Sequence, residues 1–153
     1  MMLDAIGRNI QGDKLRRLYR FWQIQERAGS APPARGFDVE GLSPWAREVV
    51  LIEVRERARY RYGYYGTSFR AAFGVDMTGA HVDELPGEQA GILAAEYGHI
   101  RRTRRPYWRM YAAWFGDRSE TWERLALPLL APGGEVGFII AAAYRAERDL
   151  QVA

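Results

Sequence analysis

Residues 60–85 read YRYGYYGTSFRAAFGVDMTGAHVDEL, and the places where this stretch starts and stops decide the fold. Arginine and tyrosine alternate through Tyr60–Tyr65, the period-two pattern of a strand. Gly66-Thr67 breaks the run. Ser68 to Phe73 fits one short helical segment, with Ser68 as its cap, and Gly74 breaks the chain again. Val75-Asp76-Met77-Thr78-Gly79 then predicts a tight turn in which Asp76 and Thr78 bond nearby backbone. Gly79 takes a conformation that a side chain would resist. The chain thus leaves a strand and crosses away from the sheet that holds it.

Working upstream, Val49 to Val54 (VVLIEV) is a continuous β-branched run, the mark of a strand buried on most sides. Arg55 to Ala58 turns it into a hairpin with Tyr60–Tyr65. Ser43-Pro44 starts a short helical turn, with Ser43 as cap and Pro44 at the first helical position, anchored by Trp45. Gly29 to Gly41 is a loop whose Ala31-Pro32-Pro33-Ala34 favours extended backbone. Before it, a helix is predicted over 13–28, capped by Asp13. Leu15, Leu18, Tyr19 and Trp22 fall at i, i+3, i+4 and i+7 and form one apolar stripe. Such a helix must dock on something apolar, either the domain's own core or a second subunit. Residues 1–12 read as a loose arm.

Downstream, a long helix is predicted over 86–103, with Ile92, Leu93, Tyr97 and Ile100 on one face. Gln89 and Glu96 fall on that same face. Three strands follow: 107–115, 120–130 and 136–144. They are joined by hairpin connections at Gly116–Ser119 and Pro132-Gly133-Gly134, which make them antiparallel neighbours. Leu125, Leu127 and Leu129 alternate to one side.

Two strands, a helical crossover and three hairpin-linked strands is the order of a PAS domain. The stretch 60–85 resembles the first half of one, in particular the single-domain PAS family common in alphaproteobacteria. Leu18-Tyr19-Arg20-Phe21-Trp22 is similar to that family's N-terminal helix. Pro33 and Phe37-Asp38 are similar to its proline-aspartate loop, and Trp122 to Leu129 (WERLALPL) to its penultimate strand. The resemblance spans roughly residues 14–145, and it rests on the order and spacing of these pieces. It implies an α+β PAS fold: a five-stranded antiparallel sheet, order 2-1-5-4-3, with helices over one face, a cavity beneath them and an N-terminal amphipathic helix. On this reading residues 1–153 are a single PAS domain with its core at 49–145.

Composition limits what the chain can do. At 153 residues one domain is expected. Apolar residues at 48% and charged ones at 27% are ordinary for a globular chain and argue against disorder. There is no cysteine, so disulfides, thiolate catalysis, zinc–thiolate sites and iron–sulfur clusters are excluded. The flavin-adduct cysteine of photosensory PAS relatives is excluded with them. The N-terminus lacks a signal-peptide core, and the apolar run 136–144 is too short for a membrane helix, so a cytoplasmic location is expected. A net charge of +3, with Lys14 the only lysine, aids solubility and falls short of a nucleic-acid stripe. No membrane or nucleic-acid partner is expected.

Catalytic motifs are missing. No G-x-S-x-G elbow and no phosphate-binding glycine loop occurs. His81 and His99 lack partners at metal-ligand spacing. Haem-sensing PAS domains ligate iron through a histidine on the long helix, where His99 falls. One unaided histidine near a helix C-terminus is better explained as a surface group favoured by the dipole. Arg101 to Arg105 reads as a solvated helix end.

The informative feature is polar side chains aimed inward. Glu96 needs a partner if buried; Arg109 or Arg124 could supply one and make it structural, or Glu96 and Gln89 border a pocket and orient a ligand. Tyr64, Phe69, Phe73, Tyr97, Trp108, Met110 and Arg124 complete the candidate pocket, and Tyr62, Tyr111 and Trp114 are further aromatic candidates. The resemblance implies a non-enzymatic sensory domain that binds a small organic ligand or a partner protein, with a signalling partner or homodimer carrying the output, since no kinase, cyclase or DNA-binding module fits in the remaining residues. Two alternatives stand beside it. One is an enzyme with an apolar cavity in a curved α+β sheet, using Glu96 or Asp76; the other is a structural adaptor with a filled core.

Overall fold

The computed structural model describes residues 4–38 and 40–146. In chain order the main elements are α1 (Ala5–Asn9), α2 (Asp13–Gln23), β1 (Val49–Arg55), β2 (Arg59–Tyr65), α3 (Thr67–Phe73), α4 (Gln89–Thr103), β3 (Tyr107–Phe115), β4 (Arg118–Leu130) and β5 (Val136–Arg145). Single helical turns lie at Ala34–Gly36, Ser43–Trp45, Glu56–Ala58 and Val82–Glu84. The five strands form one sheet of order β2-β1-β5-β4-β3, antiparallel throughout. This is the order and polarity expected from the sequence.

Alternation along the strands divides the sheet into two faces, and each face buries its own core. On the crossover face, Val50, Ile52, Tyr60, Tyr62, Trp122 and Ile139 pack beneath Phe69, Met77, Leu93, Tyr97 and Ile100. On the opposite face, Leu125, Leu127, Leu129 and Ile140 pack against Leu15, Leu18, Tyr19 and Trp22 of α2. The crossover helices therefore cover one face, as expected, and the N-terminal amphipathic helix α2 covers the other. The α2 stripe is fully committed: its four apolar side chains are at most 3% exposed. Of the two apolar partners open to this stripe, the chain's own sheet is the one that covers it.

Three expectations at the N-terminus change. Of the arm expected to be loose, residues 1–3 lie outside the described residues, while from Asp4 on it is built in: Asp4 caps α1, its Oδ1 accepting from the Gly7 N–H at 2.8 Å, and Ile10 is buried. Asp13 does not cap α2; the cap position is Gly12, with no side-chain acceptor of its own. The approach to the helix is instead fixed by Glu123 on β4, which accepts from the Gln11 and Gly12 N–H groups at 2.7 and 2.8 Å. Finally, α2 ends at Gln23, short of 28: Gln25 and Glu26 bond three residues back, to Trp22 and Gln23, and Ala28 and Gly29 then take left-handed backbone (φ 52° and 77°) and reverse the chain.

The crossover begins where expected, at Gly66. A Cβ there would lie 2.4 Å from the Arg47 carbonyl oxygen. Close backbone approach thus explains this glycine, whose φ of −62° is ordinary. Ser68 does not cap α3; its hydroxyl donates to Glu48 at 2.7 Å. Gly79 has φ +87°, the conformation its turn requires, and its N–H donates to the Tyr62 carbonyl at 2.7 Å. Asp76 accepts from Thr78 N–H and Oγ1, as the turn chemistry predicts. Pro128 sits in β4 beyond the last residue paired with β3, where proline costs no ladder bond. The Pro128 carbonyl accepts from Trp22 Nε1 at 2.9 Å.

Candidate functional site

Beneath α4 the crossover core contains a charged cluster. Glu96 is 5% exposed and Arg124 8%. Arg124 Nε donates to Glu96 Oε2 at 2.9 Å, and its Nη2 lies 2.8 Å from the same oxygen. Arg109 Nε donates to Glu96 Oε1 at 2.8 Å. Arg124 Nη2 also donates to the Tyr97 hydroxyl at 2.7 Å, and its guanidinium lies 5.8 Å from the Tyr97 ring centroid. Arg109 stacks over Tyr111 at 4.8 Å. Both arginines that could partner Glu96 do so at once. They project from adjacent strands in direct register, Arg109 opposite Arg124, so one carboxylate from α4 spans two strands of the sheet.

The electrostatics follow from this geometry. Burial alone would raise the Glu96 pKa. The Arg124 charge, its hydrogen bond and those of Arg109 outweigh burial and hold the carboxyl below its ordinary value. Burial pushes the Tyr97 and Tyr111 hydroxyls up, and Tyr65 is pushed up to about 12. Arg124 is lowered by burial but raised further by Tyr97 and Glu96, so it stays charged.

Next to the clamp is an aromatic corner. Phe73, at the end of α3, stacks on Phe115 with centroids 5.8 Å apart and leans on Trp122 at 6.4 Å. Trp122 is 5% exposed, and its buried Nε1–H has no acceptor among the described residues. Phe73 is 43% exposed, so the corner opens to solvent beside a buried donor.

The candidate pocket residues separate into two groups. Phe69, Phe73, Glu96, Tyr97 and Arg124 come together on the crossover side, joined by Tyr62 and Tyr111. Tyr64, Gln89, Trp108 and Met110 do not, and Trp114 stays outside as well. Tyr64 is displaced by an irregularity in β1–β2 pairing: Leu51 pairs with Tyr64 and Ile52 with Tyr62, leaving Gly63 unpaired. The bulge reverses the alternation, so Tyr65 turns to the crossover core and Tyr64 turns away, donating to the Ala46 carbonyl at 2.6 Å. Trp108 belongs to the opposite core, its Nε1 donating to Glu123 at 2.8 Å. Met110 and Trp114 share its strand parity, and Trp114 is 68% exposed. Gln89 is exposed with Ile92 because the buried side chains of α4 begin only at Leu93. Helical periodicity alone could not show where the sheet stops beneath the helix.

His99 is exposed and meets the Tyr107 ring edge-on at 5.7 Å. His81 caps the single turn at Val82–Glu84. Among the described residues no cluster of three metal-ligating side chains forms, and no helix is long and apolar enough to cross a membrane.

No family model matches the sequence, and no curated protein does. Solved structures do match in shape. A light-oxygen-voltage domain studied with a flavin analogue is similar with a TM-score of 0.54 at 12% identity, covering 73% of this chain and 86% of that one. A sensory box sensor histidine kinase from Vibrio cholerae matches with a TM-score of 0.53 at 16% identity, covering 74% and 93%. The PAS domain of BvgS from Bordetella pertussis matches with a TM-score of 0.52 at 15% identity, covering 72% and 85%. With the strand order, the helical crossover and these neighbours in agreement, the chain has the PAS fold.

Proposed function

We propose that this protein is a non-enzymatic sensory domain of the bacterial single-domain PAS type, acting in the cytoplasm. It binds a small aromatic ligand with a hydrogen-bond acceptor at the Phe73–Phe115–Trp122 corner and passes the change to a partner protein. The observation that carries this reading is the Trp122 indole N–H, buried beside open aromatic surface without an acceptor among the described residues. A buried donor left unpaired is costly, and a ligand that supplied the acceptor would favour one state of α3 and α4 over another. The clamp at Glu96 supports the same reading, since it is the polar attachment through which such a shift reaches the sheet.

Both carboxylates open to the cavity-enzyme alternative speak against it. Glu96 is held ionised by two arginines, and Asp76 is exposed and bonded within its own turn. Neither is tuned toward neutrality as a general acid or base would be. The adaptor alternative draws on a different observation: Tyr60, Tyr62, Tyr97 and the clamp fill much of the space beneath α4. Native mass spectrometry of the protein purified from its own host separates these readings. A retained small molecule, lost in Trp122→Phe, supports the sensor; a bare polypeptide in both would refute ligand sensing at this corner.

A further inference from the structure

A depression of about 620 Å³ lies on the far side of the sheet from the clamp. One wall is the loop after α2, through Ala31, Pro33 and Ala34; the other is the β4–β5 connection, through Leu130, Pro132 and Phe138. Its size falls within the range of small-molecule sites, about 300–1,000 Å³. The walls are fixed by backbone bonds. The Leu130 N–H donates to the Pro32 carbonyl at 2.9 Å, and Ala131 and Gly134 close the turn. On the loop side, Arg27 and Ser30 exchange two backbone hydrogen bonds around Ala28-Gly29. Ala28 is held at φ 52° there, a conformation alanine adopts only where its surroundings impose it.

The apolar walls carry two cations at their rim. Arg27 and Arg35 both border the depression, are exposed, and have no carboxylate partner among the described residues. The acidic residue of the β4–β5 turn, Glu135, is folded over Gly133. A rigid apolar cleft with unpaired guanidinium groups is complementary to one ligand chemistry: an apolar body with a single anionic head.

We propose that this cleft binds an amphipathic carboxylate, its apolar chain lying on Leu130, Pro132 and Phe138 and its head pairing with Arg27 and Arg35. Nothing in this assignment depends on the Trp122 corner.

Decanoate below its micellar concentration, titrated into the full chain and followed by calorimetry and amide NMR, tests the proposal. The expected result is saturable one-to-one binding, with shifts confined to residues 27–35 and 130–138. Loss of a head-group ion pair is worth about tenfold in affinity, so decanol should bind at least about tenfold more weakly. Arg27→Gln/Arg35→Gln should lose a similar factor, whereas Arg20→Gln/Arg102→Gln, exposed arginines elsewhere, should match the unmodified chain. Trp122→Phe should leave decanoate binding unchanged, so failure here and failure at the aromatic corner are distinguishable. Absence of saturable binding, equal affinity for acid and alcohol, indifference to the Arg27/Arg35 substitutions, or shifts centred on Trp122 would each overturn the proposal.

Discussion

Arg124→Met is the most direct test of how α4 is held. The unmodified side chain is 8% exposed and makes two contacts with Glu96 Oε2 and one with the Tyr97 hydroxyl. Methionine fills much of the stem volume but supplies no donor. Glu96, 5% exposed, would keep only Arg109, whose side chain is 25% exposed. Breaking a buried ion pair from one side costs about 3–5 kcal/mol. At about 2–4 °C per kcal/mol for a chain of this size, that lowers the melting temperature by roughly 6–20 °C. Equilibrium urea denaturation followed by tryptophan fluorescence measures the cost. The double variant Glu96→Leu/Arg124→Met removes both charges together and should recover part of the loss, since an apolar pair can replace a buried ion pair at little cost.

The same variant has a pH signature. In the unmodified protein the folded Glu96 pKa lies below its unfolded value. The pair's contribution is therefore present above the unfolded pKa, about 4.3, and is lost as pH falls through the folded one. Without Arg124, burial dominates and the folded pKa moves above the unfolded value. The folded variant then binds more protons, so its deficit should shrink as pH is lowered from about 7 to about 5. A loss below about 1 kcal/mol, with a deficit independent of pH, would refute the view that the clamp is buried and coupled.

Other substitutions probe the scaffold. Gly66→Ala places a methyl against the backbone of Arg47 and Val49 and should destabilise by about 1–3 kcal/mol or more, read by the urea midpoint. Gly91→Ala, in α4 with nothing within 4 Å of the added carbon, should instead stabilise by about 0.4–1 kcal/mol. Glu123→Ala leaves the Gln11, Gly12 and Trp108 donors without their acceptor. It should cost about 1–3 kcal/mol and speed amide exchange through residues 5–22, while α4 keeps its protection.

The elements that local chemistry specifies were legible before any coordinates. Tyr107–Phe115 runs over the strand that its aromatic pattern predicts, and the Asp76–Gly79 turn forms with the expected side-chain acceptor and left-handed glycine. What local patterns could not show was set by partners distant in sequence. The chain entering α2 is held by Glu123, 111 residues beyond the Gly12 donor it accepts from. The Gly63 bulge reverses which tyrosines face inward, and its cause, pairing with β1, leaves no mark on β2 alone. Gln89 and Glu96 occupy equivalent positions on a helical wheel, yet only Glu96 lies over the sheet. The reach of the sheet is a property of the assembled fold, so the candidate site was half visible: its charges were recognisable as inward-facing, while its walls were not.

The two faces of the sheet therefore do different work. The α2 face is closed mainly by apolar side chains, with Leu15, Leu18, Leu125, Leu127 and Leu129 almost wholly excluded from water around the buried Glu123, and opening it would expose the stripe with nothing to replace it. The crossover face attaches α4 through only three buried hydrophobic or aromatic groups, Leu93, Tyr97 and Ile100, and one carboxylate. Ionic attachments are directional: a proton on Glu96 weakens this one without disturbing the leucine core opposite. On the proposed sensory function, α4 is the element whose attachment a bound ligand would have to bias, because its polar hold on the sheet is the clamp at Glu96.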